Sequence, residues 1–233
     1  MKKELFVSAL TTEPKPAIPI EFLLRQQSID GGVTRIEAVL DKNNLNAKTL
    51  ARLAALAFGI GIKPKEISVL KYVPDKRDEF FAGKFGFKIL PIAHAALKGG
   101  KVEAWIGPAF VPSKHPLTQN GNKRSVLLSS EKSEGKKPKI GVRLNSEIVS
   151  SYYVRFAVKD NPGVLAQIAQ KLGDQGISIS EMLQPEAEEG SDQTEIAFLL
   201  HPCETQNLNL AVQSISNLEV VIKKANLPLR VLQ

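Results

Sequence analysis

The sequence predicts an α+β chain of two domains, residues 1–148 and 149–233. Three stretches carry that expectation. Tyr152 to Lys159 alternates strictly: Tyr152, Val154, Phe156 and Val158 fall on one face, and Tyr153, Arg155, Ala157 and Lys159 on the other. A period of two marks a half-buried strand. Val164, Leu165, Ile168, Ala169 and Leu172 then recur at helical spacing. Phe87 to His94 and Val102 to Ile106 flank Gly99-Gly100, the pattern of a β-hairpin.

The totals bound the answer. A chain of 233 residues with 43% apolar content holds one large or two ordinary domains with packed cores. No apolar run approaches the ~18 residues of a membrane helix. The run near the start, LFVSAL, is shorter than a secretory h-region of roughly 7–15 residues. One cysteine, Cys203, excludes an internal disulfide framework and a cysteine-rich metal site, and a reducing, cytoplasmic setting is expected. His94, His115 and His201 show no metal-ligand spacing and read as packing or surface residues. Net charge is +7 and uneven: residues 1–149 hold 25 basic against 14 acidic residues, and residues 150–233 hold 6 against 10. The basic half has dispersed lysines and few aromatics, so a solvated surface is expected rather than a nucleic-acid platform.

The elements follow in order. Residues 1–32 read as a broken, loop-rich opening, with Ile18–Leu24 as a short strand or helical turn. Val33–Leu40 reads as a strand. Leu45–Gly59 is the clearest helix of the first half: Leu50, Leu53, Ala54, Ala57 and Phe58 form its apolar face. Asn44 or Asn46 can cap its start, and Gly59 stands where a C-cap belongs. Ile67–Lys71 reads as a connector and Arg77–Phe85 as a polar helix. Pro91 within the hairpin predicts an edge or a bulge. Trp105, alternating with Ala104 and Ile106, is expected to face another layer. Val126–Leu128 reads as a strand, Ser129–Lys139 as a flexible polar loop, and Ile140–Ile148 as a return to strand.

In the second half Asp160-Asn161-Pro162-Gly163 stops the first strand. Asn161 is the expected N-cap and Pro162 the first helical residue, where a missing N–H costs nothing. Gly173 and Gly176 close the helix, and Ile177 and Ile179 begin a second strand. Thr194–Leu200, a helix through Leu208, Ala211, Val212 and Ile215, and a strand through Leu218, Val220 and Ile222 complete the series. Glu186–Ser191 is a polar hairpin. The first N–H groups of a helix have no internal partner and lie at the positive end of its dipole, so such a turn can hold a carboxylate. The plain alternative is a capped turn with no ligand.

Lys159-Asp160-Asn161-Pro162-Gly163-Val164-Leu165, with Gly176-Ile177-Ser178-Ile179 after the helix, resembles the start of an ACT domain. The resemblance implies a ferredoxin-like βαββαβ module that binds amino acids and regulates enzymes of amino-acid metabolism. It implies ligand contacts from Asp160, Asn161, Pro162, Gly163, Val164 and Leu165, with Ile177, Ser178 and Gln184 alongside. It also implies pairing of two copies.

The first half carries a second resemblance. Leu50–Gly59, Phe85–Ile89, Val102–Ala104, Phe110–Pro112 and His115–Leu117 occur in the order and spacing of the homoserine dehydrogenase catalytic region. That resemblance implies a mixed α/β sheet remnant in residues 1–148. Those enzymes of the aspartate pathway often end in an ACT domain. Here the pattern departs from the family. No Gly-x-Gly-x-x-Gly follows a strand; Gly59-Ile60-Gly61 is nearest, with Pro64 in the third place. The family's acidic residue and lysine, four apart, correspond to Leu45 and Thr49. Lys48 is adjacent, but one residue is a ~100° turn of the helix. A Gly-rich segment of the family is replaced by Ser129–Lys139.

Hydride transfer needs a bound nicotinamide and a proton acceptor. The expectation is therefore a homoserine-dehydrogenase-like regulatory chain with no catalytic residue and no cofactor of its own. It would sense a small amino acid, threonine first, as a homodimer, beside a partner enzyme of the aspartate pathway. The alternative is an active homoserine dehydrogenase, or one subunit of a split enzyme that uses NADP held by a partner chain.

Overall fold

The computed structural model describes residues 3–8, 33–39, 46–119, 125–130, 141–187, 190–223 and 226–232. Residues 9–32, with the Ile18–Leu24 expectation, lie outside the described residues, as do Leu45 and 131–140 of the polar run. The chain forms an α+β structure that divides into two compact units. One comprises residues 1–73 and 86–145, the other 74–85 and 146–233.

The first unit is built on a sheet. Its strands are β1 (Lys3–Ser8), β2 (Arg35–Val39), β3 (Ser68–Val69), β4 (Phe87–Lys98), β5 (Lys101–Pro112), β6 (Ser125–Ser130) and β7 (Gly141–Val142). The antiparallel order is β1-β6-β2-β4-β5, and β3 and β7 add in parallel to β5. β1 lies within the opening that the sequence predicts to be loop-rich. The strand expected over Ile140–Ile148 is reduced to Gly141–Val142 and a 3₁₀ turn at Asn145–Glu147.

Gly99 and Gly100 connect β4 to β5 with φ of 56° and 77°. Positive φ at both central residues is the two-residue turn whose twist matches paired strands. Pro91 makes no bulge: the β4–β5 register runs unbroken from Phe87↔Pro112 to Lys98↔Lys101, and Pro91 faces Pro108. Neither proline has an N–H, so the two occupy a non-hydrogen-bonded pair.

α1 (Ala47–Phe58) lies on one face of this sheet. Asn46 caps it by accepting from the Thr49 N–H at 2.9 Å, and Gly59 ends it at φ 67°. Leu50, Leu53, Ala54 and Ala57 join Ile36, Ala38, Ala93, Ala95, Ala104 and Ile106 in one core. The short side chains on the strands let the helix approach closely. The sheet's other face carries Glu37, His94 and Trp105.

The second unit contains α2 (Lys76–Lys84), β8 (Val149–Lys159), α3 (Val164–Gly173), β9 (Ile179–Leu183), β10 (Gln193–Glu204), α4 (Thr205–Ser216), β11 (Val221–Lys223) and β12 (Leu229–Val231). From β8 to β11 this is the βαββαβ order. β10 and β9 follow β8 on one side; β11 and then β12 pair along its other side. Tyr152, Val154, Phe156 and Val158 pack with Ile196, Phe198 and Leu200 under Val164, Ile168 and Leu172 of α3 and Leu208, Ala211 and Ile215 of α4.

Three local expectations are corrected here. α3 begins at Val164 rather than Pro162. Gly163 is its N-cap at φ 87°, and Asn161 makes no side-chain cap. A left-handed residue there ends any helical path from Pro162. β9 begins at Ile179, with Ile177 still in the connection. The last strand of the βαββαβ series is Val221–Lys223, and β12 is additional.

Candidate functional site

The turn after β8 presents the nominated residues unequally. Asp160, Asn161, Pro162, Gly163, Ser178 and Gln184 are exposed; Leu165 is half-buried; Val164 and Ile177 are buried in the core. The Val164 N–H donates to the Asn161 carbonyl at 3.3 Å, and that of Gln167 to the Gly163 carbonyl at 3.1 Å. The N–H groups of Leu165 and Ala166 have no backbone acceptor among the described residues. Gln184, just past β9, donates from Nε2 to Asp160 Oδ1 at 3.3 Å and ties the turn to the next connection. The Asp160 N–H donates to the Asp192 carbonyl at 2.7 Å. The turn therefore offers two amides at the dipole's positive end, and the Asp160 carboxylate and Gln184 carboxamide, bonded to each other, belong to the same turn and the connection after β9. That combination suits an α-amino acid, which has one group of each charge.

The sheet face opposite α3 and α4 carries a polar cluster centred on Arg155. Asp75 caps α2, accepting from the N–H groups of Arg77 and Asp78 at 2.9 Å each. Asp78 is fully buried. Its Oδ1 accepts from Tyr153 Oη at 3.1 Å, Arg155 Nε at 3.2 Å and Asn226 Nδ2 at 3.0 Å. Its Oδ2 accepts from the Asp75 N–H at 3.1 Å. Arg155 also reaches both oxygens of Asp75 at 3.0 and 2.9 Å, and it pairs with Glu195. Arg77 Nε reaches Glu195 at 2.5 Å.

Each shift of acidity follows from this packing. Burial and the neighbouring Asp78 charge push the Tyr153 phenol far up. For Arg155 burial acts downward, but the charges of Asp78 and Glu195 outweigh it and hold the guanidinium protonated. At Asp75 burial acts upward, and hydrogen bonds from the Asp78 backbone together with Arg155 outweigh it, so the carboxyl titrates low.

In the first unit the histidines are not scattered. Glu37 faces His94 across β2–β4, and His94 faces Trp105 across β4–β5, a single row on the face away from α1. His94 stacks on Trp105 with centroids 5.1 Å apart and planes at 16°. His94 Nδ1 lies 3.4 Å from Glu37 Oε1, and His115 Nε2 lies 3.8 Å from Oε2. The His115 Nδ1 accepts from the Leu117 N–H at 3.3 Å, so its proton sits on the nitrogen that faces Glu37. Burial pushes Glu37 up, but His94, Arg35 and His115 outweigh it and its carboxyl titrates below the usual range. The carboxylate is therefore buried and ionised beside two imidazoles. No group of acidic, histidine and cysteine residues among the described residues is placed to hold a metal ion.

Thr49 and Lys48 sit in the first turn of α1. The Thr49 hydroxyl donates to Asn46 Oδ1 at 3.2 Å, and Lys48 is exposed. His201 and Cys203 lie on β10. Burial pushes the Cys203 thiol up to about 11, against a smaller opposing effect of Arg230. Among the described residues no helix is long and apolar enough to cross a membrane.

Comparison with known proteins places these units. Residues 152–220 match the ACT domain family. The homoserine dehydrogenase of Methylobacillus glycogenes is 42% identical over 78 residues, which is 34% of this chain and 19% of that protein. That of Bacillus subtilis is 22% identical over 91% of this chain and 58% of its own length. The chain thus spans little more than half of that relative. Among solved structures, a homoserine dehydrogenase from Thiobacillus denitrificans superposes with a TM-score of 0.78 at 18% identity, covering 93% of this chain and 68% of that one. The enzyme of Staphylococcus aureus gives 0.58 at 11% identity, over 87% of this chain and 65% of that one. At such identity these superpositions show a shared fold. Residues 152–220 are an ACT domain, and the chain as a whole resembles the C-terminal portion of homoserine dehydrogenases.

Proposed function

We propose that this chain is an amino-acid-sensing regulatory part of a homoserine-dehydrogenase-like protein of the aspartate pathway. The ACT domain carries the reading. Its turn would bind threonine, with the Leu165 and Ala166 amides taking the carboxylate and Asp160 and Gln184 the ammonium and hydroxyl. Ser178 would add a polar contact from the neighbouring connection. The sensing form would be a cytoplasmic homodimer joined through the ACT domains, acting on a partner enzyme of the same pathway. Residues 1–148 would be the catalytic and dimerisation part, and residues 149–233 the sensor.

Hydride transfer would not be performed by this chain's own side chains. Support comes from α1: where the family resemblance places a lysine, Thr49 is tied to the helix cap and Lys48 is exposed. Leu45, at the acidic position, has no proton to exchange. Calorimetric titration with threonine tests the sensing reading. Heat on adding threonine is expected; no heat with threonine, serine, isoleucine or methionine would refute it.

Similarity to a dehydrogenase over 91% of this chain and 58% of that relative favours a second reading, an active enzyme or one subunit of a split NAD(P)-dependent one. Steady reduction of aspartate semialdehyde by the isolated chain with NADPH would establish it and end the first.

A further inference from the structure

The α2 face of the second unit holds a cavity of about 170 Å³ that the turn does not use. It lies between Arg77 of α2, Ala157 of β8, Glu195 of β10 and Pro185, Glu186 and Ala187 of the β9–β10 connection. We propose that this cavity is a second small-molecule site and that it takes a small free α-amino acid as its zwitterion. The ligand class rests on the sensing reading above; the location does not.

Size limits the occupant. The pocket opens to solvent on one side and is well under the ~300 Å³ of drug-sized sites, which favours a small occupant.

Charge sets its chemistry. Glu195 is neutralised on both oxygens, by Arg77 Nε and by Arg155. The bond to Nε fixes the plane of the Arg77 guanidinium. Its two terminal nitrogens make no hydrogen bond among the described residues, and half of the side chain is exposed. A guanidinium held in that way presents a fork for a planar carboxylate. Glu186 is exposed and forms no ion pair among the described residues, which leaves a carboxylate for an ammonium group. Ala157, Pro185 and Ala187 supply short apolar wall for a small side chain.

The walls are held in place. Thr194 Oγ1 donates to the Pro185 carbonyl at 3.1 Å, and the Gln193 N–H donates to Ser191 Oγ at 3.1 Å. Pro185 directly follows Gln184, which holds Asp160. An occupant of the cavity therefore touches the segment that steadies the turn.

The test is an amide-resolved NMR titration of the full chain with L-threonine, L-alanine and L-lysine, and with N-acetyl-L-threonine as the blocked control. The amides of Ala157, Ala187 and Gln193 are expected to shift with at least one free amino acid and not with the acetylated one. Arg77→Ala removes the fork, and Ala187→Phe fills the cavity from a half-buried loop position without touching the core. Each is expected to weaken binding at these amides roughly tenfold or more, with Arg77→Lys intermediate. Shifts confined to Asp160–Leu165, or affinities unchanged in both variants, would overturn the second site while leaving the turn intact. Shifts at the cavity with a silent turn would keep the site and remove the turn assignment. Silence at both would overturn both.

Discussion

Asp78→Ala is the perturbation whose cost the structure defines best. The wild-type carboxylate is fully buried and accepts from Tyr153, Arg155 and Asn226 on Oδ1 and from the Asp75 N–H on Oδ2. Alanine removes that acceptor from the buried Tyr153 hydroxyl and the half-buried Asn226 amide, at about 1–3 kcal/mol for a lost buried partner and less for the half-buried one. Arg155 loses one counter-charge but keeps Asp75 and Glu195, so its own penalty is partial. Breaking a buried pair by removing one partner costs about 3–5 kcal/mol, and the retained partners place this case near the lower end. Asp75→Asn is the matched control. It keeps an oxygen for the helix cap and removes only a charge whose side chain is 53% exposed, worth under about 1 kcal/mol. The assay is urea unfolding of the full chain read by hydrogen exchange at β8 and β10 amides, which isolates the second unit. A loss of at least about 3 kcal/mol for Asp78→Ala with a small loss for Asp75→Asn is expected. Equal losses, or an Asp78→Ala loss under about 1 kcal/mol, would show that the cluster does not hold α2 to the sheet.

Four other outcomes are expected. The folded Glu37 carboxyl titrates below its ordinary 4.5, so its stabilisation is present above that pH and lost as pH falls through the lower folded value. The urea midpoint followed by Trp105 fluorescence should therefore drop on acidification, and Glu37→Gln should flatten that drop. Gly107→Ala would place a Cβ 2.8 Å from Leu70 Cβ and should cost about 1–3 kcal/mol by thermal unfolding, with no recovery from Leu70→Ala, which keeps the clashing Cβ. Gly163→Ala forces a Cβ into φ 87° and should cost about 1–2 kcal/mol by the same measurement. The Cys203 thiol, held up to about 11 by burial, should react slowly with a disulfide reagent at pH 8 and rapidly in urea.

Local pattern made much of this legible. The alternation of Tyr152–Val158 fixes which side chains meet α3 and α4. Asn46 and Gly59 bracket α1, and the Gly99-Gly100 pair locates the hairpin, because each signal acts within a few residues. The hidden parts depend on partners distant in the chain. Glu37, His94 and His115 share no spacing, and only strand register brings two of them face to face. Arg155 reads as the outer side of a half-buried strand, yet Asp75, Asp78 and Glu195 enclose it. At Asn161-Pro162-Gly163 two capping cues competed with a glycine, and the left-handed glycine decided where the helix starts. The turn's residues follow from the resemblance alone, whereas the amides of Leu165 and Ala166, without a backbone acceptor among the described residues, depend on the left-handed turn at Gly163.

The strand–helix pattern beginning at Val149 is usually pictured as a cassette that recombination can attach to any enzyme. Here its Arg155 face is closed by α2, which is encoded between β3 and β4, well upstream. A fragment cut at the apparent boundary would carry a cationic side chain stripped of two counter-ions and a tyrosine stripped of its acceptor. Transplanting the sensor onto a foreign scaffold therefore requires moving two separate coding segments, or redesigning that face with apolar residues.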